Sequence, residues 1–377
     1  MDNPDIVFAL TGDLYRNIRA VKQIRALSSA GFSVTVLTLR SDAAAFELPA
    51  GIRVDAVEVN TSDGIRFFRR VDVAFAKAAA RIRARCFHAS DLYVLSAMAR
   101  AASFYKAHLT YDARELYPHV AATVRRPWVR WYWTSVEKRN IRSAEAVFTV
   151  SGLIAEHLVR IYRINRPVVL LNVPPRSAIT PSGRLRELAG IDEITPLILH
   201  LGQMRRSRGC EMIIRAMLDV PRAHLVFLGY GPERNNLQQL VQNLGLTNRI
   251  TFLDPVPPEE VPSVAAGADV GVTLLEDTCL NHRYALPNKL FEYMAASVPI
   301  LASDLPEIRS VVRGYDLGLT VDPSNRESVG AALRKMTEHP DLRTAWRANA
   351  AAAAETFNWE SASQRFIDTM RSVIRSA

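Results

Sequence analysis

Tyr284-Ala-Leu-Pro-Asn-Lys-Leu-Phe-Glu-Tyr-Met-Ala-Ala-Ser-Val-Pro-Ile-Leu-Ala-Ser-Asp304-Leu-Pro-Glu307 reads as a loop, a helix start, a turn and a buried strand in one unit. Pro287 pre-sets φ for a first helical turn, and Leu290, Phe291 and Met294 recur at helical spacing. Val298-Pro-Ile-Leu-Ala302 is a short apolar run bounded by Ser and Asp, the pattern of a buried strand. A helix start leaves its first amides without intrahelical partners, so with Asn288 and Lys289 beside them they form a natural anion site. Glu292, one turn on, can accept hydrogen bonds from neutral hydroxyls. A phosphate next to a sugar ring suits this arrangement. A surface helix whose Lys289 and Glu292 are merely solvated fits the same spacing.

Upstream of this stretch the same grammar repeats. Pro196–Leu201 reads as a buried strand, Gly202-Gln-Met-Arg-Arg-Ser-Arg-Gly209 as its loop and Cys210 to Leu218 as a helix. Arg205, Arg206 and Arg208 ahead of a helix, with Gly209 allowing close backbone approach, suit a diphosphate. His224–Leu228 is a strand entering a Gly-x-Gly turn, Arg249–Leu253 another, and the apolar members of Pro255-Val256-Pro-Pro258 are placed to flank a nucleobase. Arg326 to about Ala354 reads as helical.

The first half opens with an apolar strand at Ile6–Leu10, the loop Thr11-Gly-Asp13, a helix from about Arg16 to Ala30 and a strand at Phe32–Leu39. Strand, loop, helix and strand in succession make a βαβ start, so a parallel sheet with helices on both faces follows. Gly12 lacks the three-glycine spacing of a dinucleotide site, but a loop leaving the first strand is where doubly wound sheets place ligand contacts, which makes Gly12 and Asp13 candidates. Further strands are expected at Ile52–Val59, Leu92–Leu95, Leu109–Ala113 and Val147–Ser151, and a basic helix at Arg66–Phe87. Val168-Val-Leu-Leu-Asn-Val-Pro-Pro175 reads as a last strand entering a stiff linker. The chain of 377 residues exceeds an ordinary single core, so two domains are expected. They are 1–175 and 176–355, with 356–377 a terminal helix.

The motifs resemble those of family 4 glycosyltransferases, retaining enzymes of the GT-B fold. The resemblance rests on Leu286-Pro-Asn-Lys-Leu-Phe-Glu-Tyr293, the loop Gly202–Gly209, the Gly229-Tyr-Gly231 turn, Tyr111-Asp-Ala-Arg-Glu-Leu116 and Val147–Ser151. It implies an α/β GT-B-like architecture of two doubly wound, Rossmann-like domains facing a cleft, with 1–175 on the acceptor side, 176–355 holding the nucleotide sugar and the terminal helix 356–377 crossing back to the first domain. It implies donor contacts by Gly202, Arg205, Tyr284, Pro287, Asn288, Leu290 and Val256, and acceptor-side contacts by Gly12, Asp13 and Glu115. Arg208 and Lys289 match the cations that neutralise the diphosphate, and Glu292 matches the glutamate that holds the ribose. Three positions depart from the family pattern: Tyr284 stands where a first glutamate touches donor-sugar hydroxyls, Arg114 where a histidine lies near the donor sugar, and Gln203 where an arginine is usual. Arg114 completes the catalytic set with Arg208, Lys289 and Glu292. No cofactor or metal is implied, since protein cations and helix amides do the work of a magnesium ion.

The net charge of +9 is unevenly placed: residues 1–175 carry 25 Lys and Arg against 15 Asp and Glu, and the remainder 22 against 23. Such asymmetry fits a polyanionic or membrane-facing partner for the first half, or a basic surface kept for solubility. Arg125-Arg-Pro-Trp-Val-Arg-Trp-Tyr-Trp133 sets tryptophans among arginines, which fits a membrane-surface contact as well as a helix packed on its domain. No stretch has the length of uninterrupted apolar sequence of a transmembrane helix, and no signal peptide is read. Cys86, Cys210 and Cys279 lack disulfide or zinc spacing, so a reducing cytoplasm is expected, with peripheral attachment to the inner face of the membrane.

The expected activity is sugar transfer from a nucleotide-diphosphate sugar to an acceptor hydroxyl in cell-surface polysaccharide or glycolipid assembly, with a lipid-linked acceptor and an anionic membrane surface as partners. A nucleotide-sugar epimerase on the same architecture and a non-catalytic scaffold are the rival readings. No recognition motif supports nucleic acid as a partner.

Overall fold

The computed structural model describes residues 3–14, 17–39, 48–49, 51–59, 64–176 and 182–375. The chain divides into two compact units, Met1–Asn172 with Ser361–Ala377, and Val173–Glu360. The first division falls just ahead of the Pro174-Pro175 pair.

The first unit runs β1 (Ile6–Leu10), α1 (Ile18–Ser29), β2 (Val34–Leu39), β3 (Arg53–Val57), α2 (Ile65–Ala79), β4 (Cys86–Ala89) and α3 (Leu92–Tyr105). It continues with β5 (His108–Ala113), α4 (Pro127–Asn140), β6 (Ala146–Thr149), α5 (Gly152–Tyr162) and β7 (Val168–Val169). The seven strands lie in the order β3-β2-β1-β4-β5-β6-β7 and all pair in parallel. β1 and β4 are buried along their whole length, as strands covered on both faces must be.

The second unit runs α6 (Arg184–Ala189), β8 (Leu197–Leu201), α7 (Cys210–Ala216), β9 (His224–Leu228), α8 (Arg234–Asn243), β10 (Ile250–Leu253) and α9 (Val261–Ala265). β11 (Val270–Thr273), α10 (Leu280–Arg283), α11 (Asn288–Ala295), β12 (Ile300–Ser303), α12 (Pro306–Gly314) and β13 (Gly318–Val321) follow. α13 (Arg326–Glu338), α14 (Pro340–Ala354) and α15 (Trp359–Arg375) close the chain, and α15 belongs to the first unit from Ser361 on. Its parallel sheet has the order β10-β9-β8-β11-β12-β13. Both units are therefore doubly wound and Rossmann-like.

Several elements differ from their sequence reading. Leu92–Leu95 is the first turn of α3 and not a strand, because the Asp91 carboxylate accepts from the amides of Tyr93 and Val94 and caps a helix there. The strand lies one element earlier, at Cys86–Ala89, so the basic helix stops at Ala79 instead of Phe87. A short apolar run is ambiguous between a strand and a buried helix, and the cap decides. α2 lays Val71 and Phe75 into the core and stacks Phe68 on Tyr93 with centroids 4.5 Å apart, so its apolar face is taken up by its own unit. Pro287 sits just ahead of α11 with ψ 138°, outside the first turn. Pro340 splits the long C-terminal helix after Glu338. Arg16, the expected start of the first helix, lies outside the described residues, and α1 runs from Ile18, with the Asn17 side chain accepting from the Ala20 amide.

Candidate active site

Strand order reverses between β8 and β11 in the second unit, and ligands of open parallel sheets bind outside the carboxyl ends of strands at such a point. The loops leaving these strands are Gly202–Gly209 and Leu274–Cys279. They are pressed together. A Cβ on Gly209, whose φ is +69°, would stand 2.3 Å from Leu274 Cβ and 2.4 Å from its carbonyl oxygen. The Glu276 amide donates to the Ser207 carbonyl at 3.1 Å, with Ser207 itself at φ +61°. The next crossing is equally close: a Cβ on Gly229, at the end of β9, would lie 2.2 Å from the Gly202 carbonyl oxygen. Glycine at these points lets the basic loop fold down on the strand ends and fixes where Arg208 emerges.

Around Arg208 the structure gathers charges that perturb one another, and the sequence motifs name several of them. Lys289, in the first turn of α11, brings Nζ to 3.2 Å from His200 Nε2. His200 ends β8 one residue short of its last position and is buried, with Cys210 Sγ 3.5 Å from the same ring nitrogen. Burial lowers the Lys289 ammonium to about 8, with Arg208 pushing the same way and Cys210 and Glu292 opposing. His200 is held well below the ordinary imidazole value by burial, then by Lys289 and Arg208, so it is neutral at physiological pH. The His282 imidazole on α10 is also lowered, first by burial and then by Arg208. The Cys210 thiol is raised by burial. Two cations, Arg208 and Lys289, thus share one half-buried place, a repulsion that an incoming dianion relieves.

The remaining donor-side candidates are set around this pair. α11 opens at Asn288, which is exposed, with no side chain capping the helix and no acidic residue in its first turn. Glu292 is half-buried one turn after Lys289 on the same helix face, and its charge is felt at Lys289 and Tyr293. Gly202 and Arg205 are exposed, while Tyr284, Pro287 and Val256 are half-buried. Leu290 is different: its side chain is wholly buried and its amide donates to the Pro287 carbonyl, so it anchors α11 in the core. Arg206 points to solvent beside Glu233, and Gln203 donates to the Tyr230 hydroxyl at 3.1 Å.

The first unit reverses its strand order between β1 and β4, and a second cluster forms there. Asp91 is fully buried, and its Oδ2 accepts from both the amide and the hydroxyl of Thr11, at 2.9 and 2.8 Å. Arg114, at the end of β5, lies 3.8 Å from that oxygen and donates through Nε to the Tyr117 hydroxyl at 3.1 Å. The Gly12 carbonyl accepts from Thr38, Asp13 is half-buried beside it, and Glu115 is exposed. Arg114 is thereby bonded to Tyr117 and paired at longer range with a buried carboxylate.

Two family models match the chain: a glycosyl transferase 4-like domain over residues 17–175 and glycosyl transferases group 1 over residues 183–353. Together they cover most of it. The chain belongs to the GT-B group 1 glycosyltransferases. Among the relatives of this chain is the alpha-D-kanosaminyltransferase of Streptomyces kanamyceticus, 26% identical over 237 residues, 60% of this chain and 58% of that protein. The chain spans about half the length of the curated relatives it matches. Sucrose-phosphate synthase from Thermosynechococcus elongatus shares the fold with a TM-score of 0.84 at 19% identity, over 99% of both chains. Anabaena HepE in complex with UDP-glucose shares it at 0.71 and 16% identity, over 97% of this chain and 99% of that one.

Several members of the two clusters escape a reading by motif. His200 sits inside an apolar strand run, where a lone histidine looks like a core residue. Asp91 and Thr11 are eighty residues apart in sequence and meet only through the pairing of β1 with β4. Tyr293 carries no motif signal for its task, which is to donate to the Leu199 and Val272 carbonyls and accept from the Leu201 amide, locking α11 to β8 and β11.

Proposed function

We propose that the chain moves a glycosyl group from a nucleoside-diphosphate sugar to an acceptor hydroxyl, with retention at the anomeric carbon. The observation that supports this most is the convergence of Arg208 and Lys289 at the β8/β11 switch point, beside the uncapped start of α11. As the bond from the anomeric carbon to the diphosphate oxygen breaks, negative charge grows on that oxygen. Two fixed cations and a helix N-terminus in a half-buried place are worth most at that moment. Retention asks that the acceptor oxygen bond on the face the diphosphate leaves, and this part rests on the resemblance to retaining enzymes.

Glu292 accepts from the ribose hydroxyls and Val256 flanks the base. The solved complex of HepE with UDP-glucose supports a nucleotide sugar as the donor class. Because protein cations meet the diphosphate charge, turnover is expected without an added divalent ion. The acceptor is lipid-linked and belongs to surface polysaccharide or glycolipid assembly, and the first unit works against an anionic membrane face. Supporting this are the exposed Val124, Trp128 and Trp131, set among the exposed Arg125, Arg126 and Arg130. Among the described residues no helix is long and apolar enough to cross a membrane.

The test is transfer and hydrolysis of nucleotide sugars in the presence of a chelator, with and without lipid extract as acceptor. Arg208→Ala and Lys289→Ala should each lower turnover by roughly a hundredfold, the scale of one lost transition-state donor, with thermal midpoints near wild type. Activity within about twofold of wild type in either variant overturns the diphosphate assignment.

A further inference from the structure

His200 has no place in the reading above, yet its Nε2 lies 3.2 Å from Lys289 Nζ. A lysine ammonium can only donate hydrogen bonds, so at 3.2 Å the His200 Nε2 must be the acceptor. A neutral imidazole accepts at one nitrogen and carries its proton on the other, which puts the proton on Nδ1. The Gln203 backbone supplies the matching partner, since a hydrogen bond to it works against the lowering of His200 by burial. Gln203 opens the basic loop, so one ring spans from the start of that loop to the cation on α11.

We infer that His200 is a positioning residue of the diphosphate site: its Nε2 holds the Lys289 ammonium in place and in its charged form while its Nδ1–H is held by the loop that carries Arg208. The inference rests on the proposed diphosphate role of Lys289. Among the described residues, Arg208 from the β8 loop opposes the Lys289 charge, and Cys210 from α7 and Glu292 from its own helix favour it. His282 on α10 faces Arg208 and is neutral for the same reason as His200. Among these, His200 alone offers Lys289 an acceptor without adding negative charge. A carboxylate there would tie the ammonium into an ion pair and blunt its attraction for phosphate, whereas an imidazole lone pair orients the ammonium and leaves its charge unspent. Cys210 Sγ, 3.5 Å from the same nitrogen, is raised by burial and stays a thiol, so it does not neutralise the lysine.

Two substitutions separate positioning from packing. His200→Asn keeps a polar group near the Nδ1 position but cannot reach Lys289, while His200→Gln places an amide oxygen near the Nε2 position. Both are measured as kcat and donor KM across pH 6–10, with circular dichroism and thermal midpoints as controls, alongside Lys289→Ala. His200→Asn should lose about tenfold in kcat, the scale of one hydrogen bond to a charged group, and its alkaline limb should move to lower pH because the ammonium has lost its acceptor. His200→Gln should recover both. A folded His200→Asn with wild-type kcat and an unmoved alkaline limb overturns the inference. So does an equal loss in both variants with no shift of that limb, which is what a purely structural role predicts. If Lys289→Ala itself retains activity, the diphosphate reading fails instead, and the two failures are told apart.

Discussion

The Tyr111 hydroxyl donates to Glu137 Oε1 at 2.8 Å, deep in the first unit, and the Tyr162 hydroxyl reaches the other oxygen at 2.7 Å. Glu137 is 1% exposed, and burial raises its carboxyl to about 7, with the two tyrosine donors opposing. This residue ties α4, the helix of the tryptophans, to β5 and to the end of α5. The folded chain therefore holds a proton that the unfolded chain gives up near the ordinary carboxyl value. A raised acid contributes its full stability below the unfolded value and loses it as pH climbs through the folded one. Stability should fall between about pH 4.5 and 7 by on the order of 3 kcal/mol from this group. Glu137→Gln should flatten that fall in thermal melts. An unchanged pH slope would show that Glu137 titrates as an ordinary carboxylate.

Lys289 sets an alkaline limit on activity. With its ammonium lowered to about 8 in the free protein, kcat/KM for the donor should decline above pH 8 as the cation is lost. Bound diphosphate supplies negative charge and raises that value, so kcat should hold to higher pH than kcat/KM. Parallel profiles of the two constants that stay flat to pH 10 would contradict the placement of Lys289 against the diphosphate.

Glu292→Gln should weaken donor binding roughly tenfold or more, because a hydrogen bond from a ribose hydroxyl to a carboxylate is worth about 1.5–3 kcal/mol. Calorimetry with the nucleoside diphosphate alone and with the nucleoside triphosphate reads the effect without turnover. Equal affinity in the wild type and the variant would remove Glu292 from the ribose site.

The tryptophans of α4 divide. Trp133 is buried, packed edge-on against Phe68 and Tyr93 with centroids 5.1 and 4.9 Å away, whereas Trp128 and Trp131 are 60% and 69% exposed. Binding to anionic vesicles should weaken as salt rises, since each basic residue near the headgroups adds about 1 kcal/mol and the attraction decays over a Debye length of about 8 Å at physiological salt. Trp128→Ala/Trp131→Ala should lower the salt-resistant part of binding without loss of fold. Equal recovery of wild type in the supernatant with anionic and neutral vesicles at low salt would leave the patch as a solubility feature.

The two βαβ halves were legible in the sequence because they are local. Apolar runs of strand length, glycines at the strand exits and a proline ahead of a helix each act on their near neighbours. Arg208, Lys289 and Glu292 are named from the resemblance of their motifs, since a solvated surface helix fits the same spacing. What the tertiary structure alone decided is non-local. Whether Leu92–Leu95 is strand or helix turned on the Asp91 cap, whose other oxygen is spent on Thr11 across the β1–β4 pairing. Which tryptophan meets solvent turned on how α4 is rotated over Phe68 and Tyr93. That His200 meets Lys289 turned on how Tyr293 locks α11 against β8. Spacing along a chain sets the period of an element, but the partner of a buried polar group is chosen by sheet order, and sheet order is a property of the whole unit.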